Sequence, residues 1–185
     1  MIENSLLAYT FDTFRPNLQS IAFEKAWKFS QGELGHGLML IGPPGVGKTH
    51  LALACYNEVK KRANGHFLCL FISEVELLAR IRNTYAKEAQ ETEAQVLNVC
   101  KGVPLLILDD LCKYTPQDAS FRNRILFEIL DFRCLRRKVG LFITANQPLP
   151  SLTETLGAPI VDRLRGMCEV VEMKGQSQRG LPPAT

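Results

Sequence analysis

The sequence contains no apolar run that approaches the roughly 20 residues needed for a membrane-spanning helix. Its N-terminal stretch, MIENSLLAYTFDTF, lacks the basic start and the long apolar segment of a secretory signal peptide. Internal repeats, low-complexity tracts and a linker between domains are also missing. These absences argue against membrane-spanning, secreted and fibrous proteins, and we expect a cytoplasmic location with no membrane partner.

Closely spaced cysteine pairs are missing too. Six cysteines occur in the chain, and no two of them are spaced as Cys-x-x-Cys. Most have apolar neighbours, where a free thiol behaves as a small hydrophobic side chain. We therefore expect reduced, structural cysteines rather than a metal or redox site: Cys55, Cys69, Cys100, Cys112, Cys134 and Cys168.

A strong excess of charge is absent, since the formal net charge is only +3. Such a charge permits binding to nucleic acid without requiring it. The hydrophobic content of 46% and the charged content of 22% are those of an ordinary globular protein. The 185 residues are enough for one domain with a buried core.

Apolar segments alternate with helical patterns along the chain, which favours an α/β fold. The predicted strands are LMLIG, HFLCLFI (66–72), PLLILDD, GLFITAN and CEVVEM. The predicted helices cover 17–31, 48–62, a segment that starts at a Ser73–Glu76 capping box, 84–100, 118–138 and 158–166. Because each strand is continuously apolar, we expect a parallel sheet that is covered by helices on both faces.

The segment GPPGVGKTH, residues 42–50, matches the phosphate-loop pattern G-x-x-x-x-G-K-[ST]. An apolar strand precedes it and a helical pattern follows it, as this loop requires. Its glycines let the backbone approach phosphates, and the start of the following helix faces the anion. Lys48 is expected to bridge the β- and γ-phosphates, and the Thr49 hydroxyl to ligate Mg²⁺.

Nucleotide contacts are expected along the whole loop: Gly42, Pro43, Pro44, Gly45, Val46, Gly47, Lys48, Thr49 and His50. His50 falls in the first helical turn, which explains it as a surface residue beside the nucleotide, with a catalytic base as the alternative. For the loop itself, the alternative is a glycine turn that precedes a helix by chance.

An acidic pair, Asp109 and Asp110, ends the apolar strand that contains LLIL. Buried carboxylates need a cation or strong hydrogen-bond donors. A strand that ends in Asp about 60 residues after a phosphate loop forms the second half of a nucleoside-triphosphate site. Asp109 is expected to hold Mg²⁺ beside Thr49, and Asp110 to orient or deprotonate the attacking water. Solvated aspartates in a strand-end turn are the alternative.

Four motifs, namely the phosphate loop, LLILDD, FITANQPL and IVDRLRG, occur in the order found in AAA+ ATPases. Within that superfamily the chain resembles the DnaC/DnaI helicase loaders and the IstB transposition helper ATPases, from about residues 9–16 to 174–179. The resemblance implies a P-loop NTPase core without a C-terminal helical lid. It also implies ATP and Mg²⁺ as cofactors, ATP hydrolysis, and a homo-oligomer formed with ATP. The expected division of the chain is a single AAA+ domain over 1–185, with a helical lead-in at 1–37, a core at 38–175 and a tail at 176–185.

The resemblance also assigns roles to single residues. Asn146 matches the sensor-1 residue that positions water near the γ-phosphate, with capping of the turn NQP as the alternative. Arg163 matches the arginine finger that reaches a neighbouring subunit's site, and Arg165 competes for this role. Arg179 matches the sensor-2 arginine, with a tail residue as the alternative. Asp110 is shorter than the Glu of most AAA+ proteins, so we expect slow, switch-like hydrolysis.

Single-stranded DNA along the inner face of the oligomer is a further implication of the resemblance. The candidate contacts are VKKR (59–62), LRRK (135–138), Arg122, Arg124, Arg133, and Lys113 with Tyr114. Solvated helix ends explain the basic clusters equally simply, because cations favour helix C-termini.

The leading hypothesis is therefore an ATP-hydrolysing switch in DNA replication that loads a replicative helicase and binds single-stranded DNA. The alternatives are an IstB-like transposition helper with a transposase partner, a non-hydrolysing ATP-dependent scaffold, and a small-molecule kinase. Kinases of that kind use arginines of their own lid, and need neither a finger from a neighbour nor an Asp-Asp strand.

Overall fold

The computed structural model describes residues 7–15, 19–64, 68–113, 118–136 and 139–178. In these residues the strands are Gly37–Ile41 (β1), Cys69–Ser73 (β2), Leu105–Leu111 (β3), Gly140–Ala145 (β4) and Glu169–Glu172 (β5). The helices are Ser20–Gln31 (α1), Lys48–Arg62 (α2), Glu74–Asn83 (α3), Glu93–Gly102 (α4), Ala119–Leu135 (α5), Leu149–Leu156 (α6) and Ala158–Met167 (α7). All strand pairs are parallel, and the sheet order is β2-β3-β4-β1-β5.

Helices cover both faces of this sheet. Successive residues of a strand point to opposite faces. In β1, Leu38 and Leu40 pack with α1 and α2, whereas Met39 and Ile41 pack with α3 to α7. Strands buried on both faces must be apolar throughout, which is why continuous apolar runs predicted this arrangement. The predicted α/β class is confirmed.

The helix predicted over 84–100 is wrong in extent, because α4 begins only at Glu93. Thr92 caps it: its side chain accepts from Gln95 N (3.3 Å), and Gln95 Oε1 accepts from Thr92 N (2.7 Å). Arg80 holds Glu91 through two hydrogen bonds of 2.7 Å. Local capping and this ion pair keep residues 84–92 in turns and bends, although their composition favours a helix.

One helix, α6, was not predicted. Pro148 is its N-cap and Pro150 lies in its first turn, where the missing N–H is not needed. The other predicted elements are confirmed with small shifts at their ends. Parts of three predictions lie outside the described residues, at 17–18, 66–67 and 137–138.

All six cysteines are unpaired, and four of them are buried: Cys55, Cys100, Cys112 and Cys168. Burial raises the pKa of Cys100 to about 11, and the pKa values of Cys112 and Cys168 to about 12. In the described ranges, no helix is long and apolar enough to cross a membrane.

Candidate active site

The topology of the sheet brings the phosphate loop, the acidic pair and Asn146 to one edge. β3, β4 and β1 are neighbours and parallel, so their carboxyl ends lie side by side. The phosphate loop follows β1, the acidic pair lies at the end of β3, and Asn146 follows β4. Thr49, in the first turn of α2, contacts Asp109 of the acidic pair.

The backbone of the phosphate loop requires glycine at positions that include Gly42 and Gly47. Gly42 has φ +145° and Gly47 has φ +103°, both in the region that side chains rarely adopt. A Cβ atom at Gly47 would also lie 2.6 Å from the ring of Phe14. Gly47 is the N-cap of α2 and has no side chain to bond the first-turn N–H groups. Such N–H groups at a helix start bind phosphate.

Lys48 lies folded into this loop with only 4% of its surface exposed. Its Nζ donates to the carbonyl oxygens of Gly42 and Pro43, at 2.7 Å each. The ammonium group is therefore held within the loop that would receive the phosphates.

The carboxylate of Asp109 is buried between two threonine hydroxyls. Thr49 Oγ1 donates to its Oδ1 and Oδ2 at 3.0 and 3.2 Å, and Thr144 Oγ1 donates to Oδ1 at 2.6 Å. Burial raises the pKa of Asp109, and the nearby Asp110 raises it further, while the two hydroxyls oppose both effects. Hydroxyl and carboxylate oxygens are the donors that Mg²⁺ prefers, so Thr49 and Asp109 fit a magnesium ion.

A β-bulge separates the two aspartates. Leu108 pairs with Ile143 and Leu111 with Ala145, so Asp109 and Asp110 both lie opposite one residue of β4. Asp110 has φ +58°, the left-handed region, and its N–H donates to the side chain of that opposite residue, Thr144, at 2.9 Å. The bulge turns the two carboxylates toward different partners.

The carboxylate of Asp110 faces an amide and an ammonium group. Asn146 Nδ2 donates to its Oδ1 at 3.2 Å, and Lys113 Nζ donates to its Oδ2 at 2.6 Å. The side chain of Asp110 remains 22% exposed, so water reaches it. A carboxylate in contact with water beside an amide is suited to hold and deprotonate a nucleophilic water.

His50 lies against the N-terminal segment. Its Nε2 is 2.9 Å from Thr10 O and 3.2 Å from Thr13 Oγ1, and the rings of Tyr9 and Phe14 approach its edge. Burial lowers the pKa of His50, and the hydrogen bond to Thr10 opposes this shift. The described contacts of His50 thus tie residues 9–14 to the first turn of α2.

Arg163 is held by neighbours within its own chain. Its Nε and Nη2 donate to Asp131 Oδ1 at 2.7 and 2.5 Å, and its Nη1 donates to Pro159 O at 2.9 Å. Its guanidinium also stacks on Phe127, 4.2 Å from the ring centre. Arg165, two residues further along α7, is exposed. Arg179 lies outside the described residues.

Two of the predicted DNA contacts on α5 are wrong, because Arg122 and Arg133 are buried and serve the fold. Arg124 is exposed and donates to Glu93 Oε1 at 2.6 Å. In 59–62, Arg62 donates to a backbone carbonyl at 2.8 Å. Tyr114 and residues 137–138 lie outside the described residues.

Sequence reasoning missed Thr144, which contacts both members of the acidic pair. It also missed that Lys113 binds Asp110, since Lys113 was predicted as a DNA contact. The signal for Thr144 was present, because it is the polar residue within the apolar strand GLFITA and a buried polar group needs partners.

The sequence profile of the family described as IstB-like ATP binding protein matches residues 13–181. The chain belongs to this family. Replicative helicase loader DnaC of Escherichia coli K12 is 30% identical over 125 residues, which are 67% of this IstB-like chain and 48% of DnaC. An insertion-sequence ATP-binding protein of Sinorhizobium fredii is 32% identical over 186 residues, covering 95% of this chain and 57% of that protein.

A crystal structure of the DnaC helicase loader superposes on this IstB-like chain with a TM-score of 0.77 and 24% identity, over 92% of this chain and 99% of that one. The shared P-loop fold confirms the predicted fold class. Family membership supports nucleotide binding at the phosphate loop. The chain spans about half the length of the curated relatives it matches.

Proposed function

We propose that this IstB-like chain binds Mg²⁺-ATP between its phosphate loop and its acidic pair, and that water attack on the γ-phosphorus breaks the β–γ anhydride bond to give ADP and phosphate. The arrangement that carries this proposal is the contact of Thr49 with Asp109 at 3.0 Å beside the contact of Asn146 with Asp110 at 3.2 Å. The oxygen ligands for a metal, from Thr49 and Asp109, thus lie beside the phosphate loop. The carboxylate of Asp110, which would bind the water, lies at the same end of the sheet.

Each residue has a separate role in this proposal. Lys48 and the backbone of residues 42–50 bind the phosphates, with Arg179 completing the nucleotide contacts. Thr49 and Asp109 hold Mg²⁺, which neutralises charge on the β- and γ-phosphates. Asp110 accepts a proton from the attacking water, which Asn146 orients.

Hydrolysis is expected to be slow and stimulated by DNA or a partner. Asp110 has a short side chain, and its backbone lies in the β-bulge. Lys113 Nζ also donates to one of its carboxylate oxygens at 2.6 Å. We expect both features to slow proton transfer from the attacking water to Asp110. Arg163, or in its place Arg165, supplies positive charge from a second copy when ATP brings copies together.

We further propose that this switch acts in DNA replication in the cytoplasm, binding single-stranded DNA and loading a replicative helicase. The likeness to DnaC, a replicative helicase loader, supports this role. The exposed cations Lys60, Lys61 and Arg136 remain as candidate DNA contacts. A transposition helper with a transposase partner is the second candidate, favoured by the family match and the insertion-sequence relative.

The test is ATP turnover with and without single-stranded DNA, for the wild type and Asp110→Asn, with ATP affinity measured in parallel. DNA should stimulate the wild type, and Asp110→Asn should bind ATP but lose turnover. Asp118→Asn is the matched control, because asparagine caps a helix as well as aspartate does. Tight ATP binding without turnover in either condition would contradict hydrolysis and favour an ATP-dependent scaffold.

A further inference from the structure

The end of β3 and the turn that follows it contain two non-glycine residues in the left-handed region. Asp110 has φ +58° and Cys112 has φ +57°. Residues other than glycine rarely adopt this backbone conformation, so it persists only where surrounding contacts stabilise it. The hydroxyl of Thr144 holds Asp110 through its N–H, at 2.9 Å. Cys112 therefore needs its own support.

Side chains from two other elements hold the peptide groups of Cys112. The carboxylate of Glu74, the first residue of α3, accepts from the N–H of Cys112 through Oε2. Gln147 Nε2 donates to the carbonyl oxygen of Cys112 at 3.3 Å. Since α3 directly follows β2, and β2 pairs with β3, Glu74 reaches the turn across the neighbouring strand.

The carboxylate of Glu74 is buried at 3% exposure, together with a buried arginine. Arg122 Nε lies 3.8 Å from Glu74 Oε1, and Arg122 also donates to Asn123 Oδ1 at 3.0 Å and Thr155 O at 2.6 Å. Burial raises the pKa of Glu74, while the N–H of Cys112 and the charge of Arg122 oppose the shift. A buried ion pair is costly to assemble, so its net contribution to stability is small.

A role in starting α3 does not explain the burial of Glu74. An acidic residue in the first helical turn is favourable at the surface, and Glu76 already supplies one there. Ser73 caps the helix by accepting from Glu76 N at 3.2 Å. What distinguishes Glu74 from Glu76 is its contact with the turn that carries Asp110.

We propose that Glu74 is a positioning residue for hydrolysis, which holds the turn at 110–112 so that Asp110 stays against Asn146. This proposal rests on the proposed ATPase function. Arg122 keeps the carboxylate of Glu74 in place, and Gln147 holds the next peptide group through the carbonyl oxygen of Cys112. Without Glu74, Cys112 loses the acceptor that supports its left-handed conformation.

Two double variants test the hydrogen bond without leaving a buried charge unpaired: Glu74→Gln/Arg122→Met and Glu74→Leu/Arg122→Met. The first keeps an acceptor oxygen for Cys112 N–H, and the second removes it at similar volume. The leucine variant should have a kcat lower than that of the glutamine variant by about 10- to 100-fold, because misplacing a reacting group by about 1 Å costs rates of this order. The Kd for ATP should agree within about twofold, since the phosphate loop is untouched.

Hydrogen exchange at the Cys112 amide is measured on the same proteins and should be faster in the leucine variant only. The matched control is Glu76→Leu compared with Glu76→Gln in the Glu74→Gln/Arg122→Met background, which should show no difference in kcat. Equal kcat in the two Glu74 variants, or parallel losses of kcat and ATP affinity, would overturn the proposal.

A failure of the proposed ATPase function is seen separately, as a wild-type turnover no higher than that of Asp110→Asn. In that case the role of Glu74 in hydrolysis fails as well, and the exchange measurement decides only whether Glu74 holds the turn at 110–112. Faster exchange at Cys112 in the leucine variant supports it, and unchanged exchange rejects it.

Discussion

At the scale of single residues, the two aspartates depend on one hydroxyl. Thr144 is fully buried and lies opposite the bulge of β3. It donates to Asp109 Oδ1 at 2.6 Å and accepts from Asp110 N at 2.9 Å. Because one side chain serves both positions, the placement of the metal-binding carboxylate and that of the base are coupled.

Replacing this hydroxyl in Thr144→Val should weaken both folding and turnover. The Asp110 N–H and the buried Asp109 carboxylate each lose a partner at nearly constant shape, so the free energy of unfolding should fall by about 1–3 kcal/mol. ATP turnover should fall about tenfold, because the base loses its support. Urea unfolding and steady-state turnover measure the two effects.

The control is Thr144→Ser, which keeps the hydroxyl and should retain most of the stability and turnover. Equal behaviour of the valine and serine variants would show that the hydroxyl does not support the site.

At the scale of elements, Arg133 joins three segments at the edge of the sheet away from the phosphate loop. It lies on α5, and its Nη1 donates to the carbonyls of Cys100, Lys101 and Val103 at 2.8, 3.2 and 3.1 Å. Its Nη2 donates to the carbonyl of Gly140, the first residue of β4. One guanidinium thus satisfies carbonyls at the end of α4, before β3 and at the start of β4.

Arg133→Met should lower the free energy of unfolding by about 3 kcal/mol, because several part-buried carbonyls lose their donor together. Lysine should not substitute, since a single ammonium cannot reproduce the fork of donors. ATP affinity should stay unchanged, because the change is at the opposite edge of the sheet from the nucleotide loop.

Arg136→Met is the matched control for this experiment. Arg136 is exposed and stacks on Phe132, so its loss should change stability by no more than about 0.5 kcal/mol. Chemical denaturation of both variants decides the point, and similar midpoints would contradict a bracing role for Arg133.

At the scale of the whole molecule, the proposed arginine finger raises the question of which arginine of α7 would act on a second copy. Arg163 is engaged within its chain by Asp131, Pro159 and Phe127, whereas Arg165 is exposed. To act as a finger, Arg163 would have to leave these contacts. Otherwise Arg165 would take that role. The two residues lie on the same helix and offer a matched pair of substitutions.

We expect Arg163→Ala to bind ATP normally and to lose DNA-stimulated turnover, while Arg165→Ala retains it. A mixture of Arg163→Ala with Lys48→Ala should recover part of the turnover, because one copy contributes the site and the other the finger. Turnover assays of each variant and of the mixture measure this.

Recovery in the mixture requires a finger from a second copy. No recovery would place the role of Arg163 within its own chain. Loss of turnover in Arg165→Ala instead of Arg163→Ala would identify Arg165 as the finger.

The sequence by itself determined the fold class and the main parts of the candidate site. Continuous apolar runs reveal strands buried on both faces, because such strands leave no side for water. The phosphate loop is contiguous, so Lys48 and Thr49 can be recognised from spacing alone. The acidic pair is recognisable because two carboxylates directly follow an apolar strand.

Only the tertiary structure decided which groups meet these residues. The bulge opposite Thr144, the pairing of Lys113 with Asp110, and the hold of Glu74 on the turn depend on strand register and on contacts between segments far apart in the chain. Arg122 was predicted to contact DNA, but its burial shows that it serves the fold instead. Local composition cannot show these outcomes, because each depends on which distant segments fold around the residue.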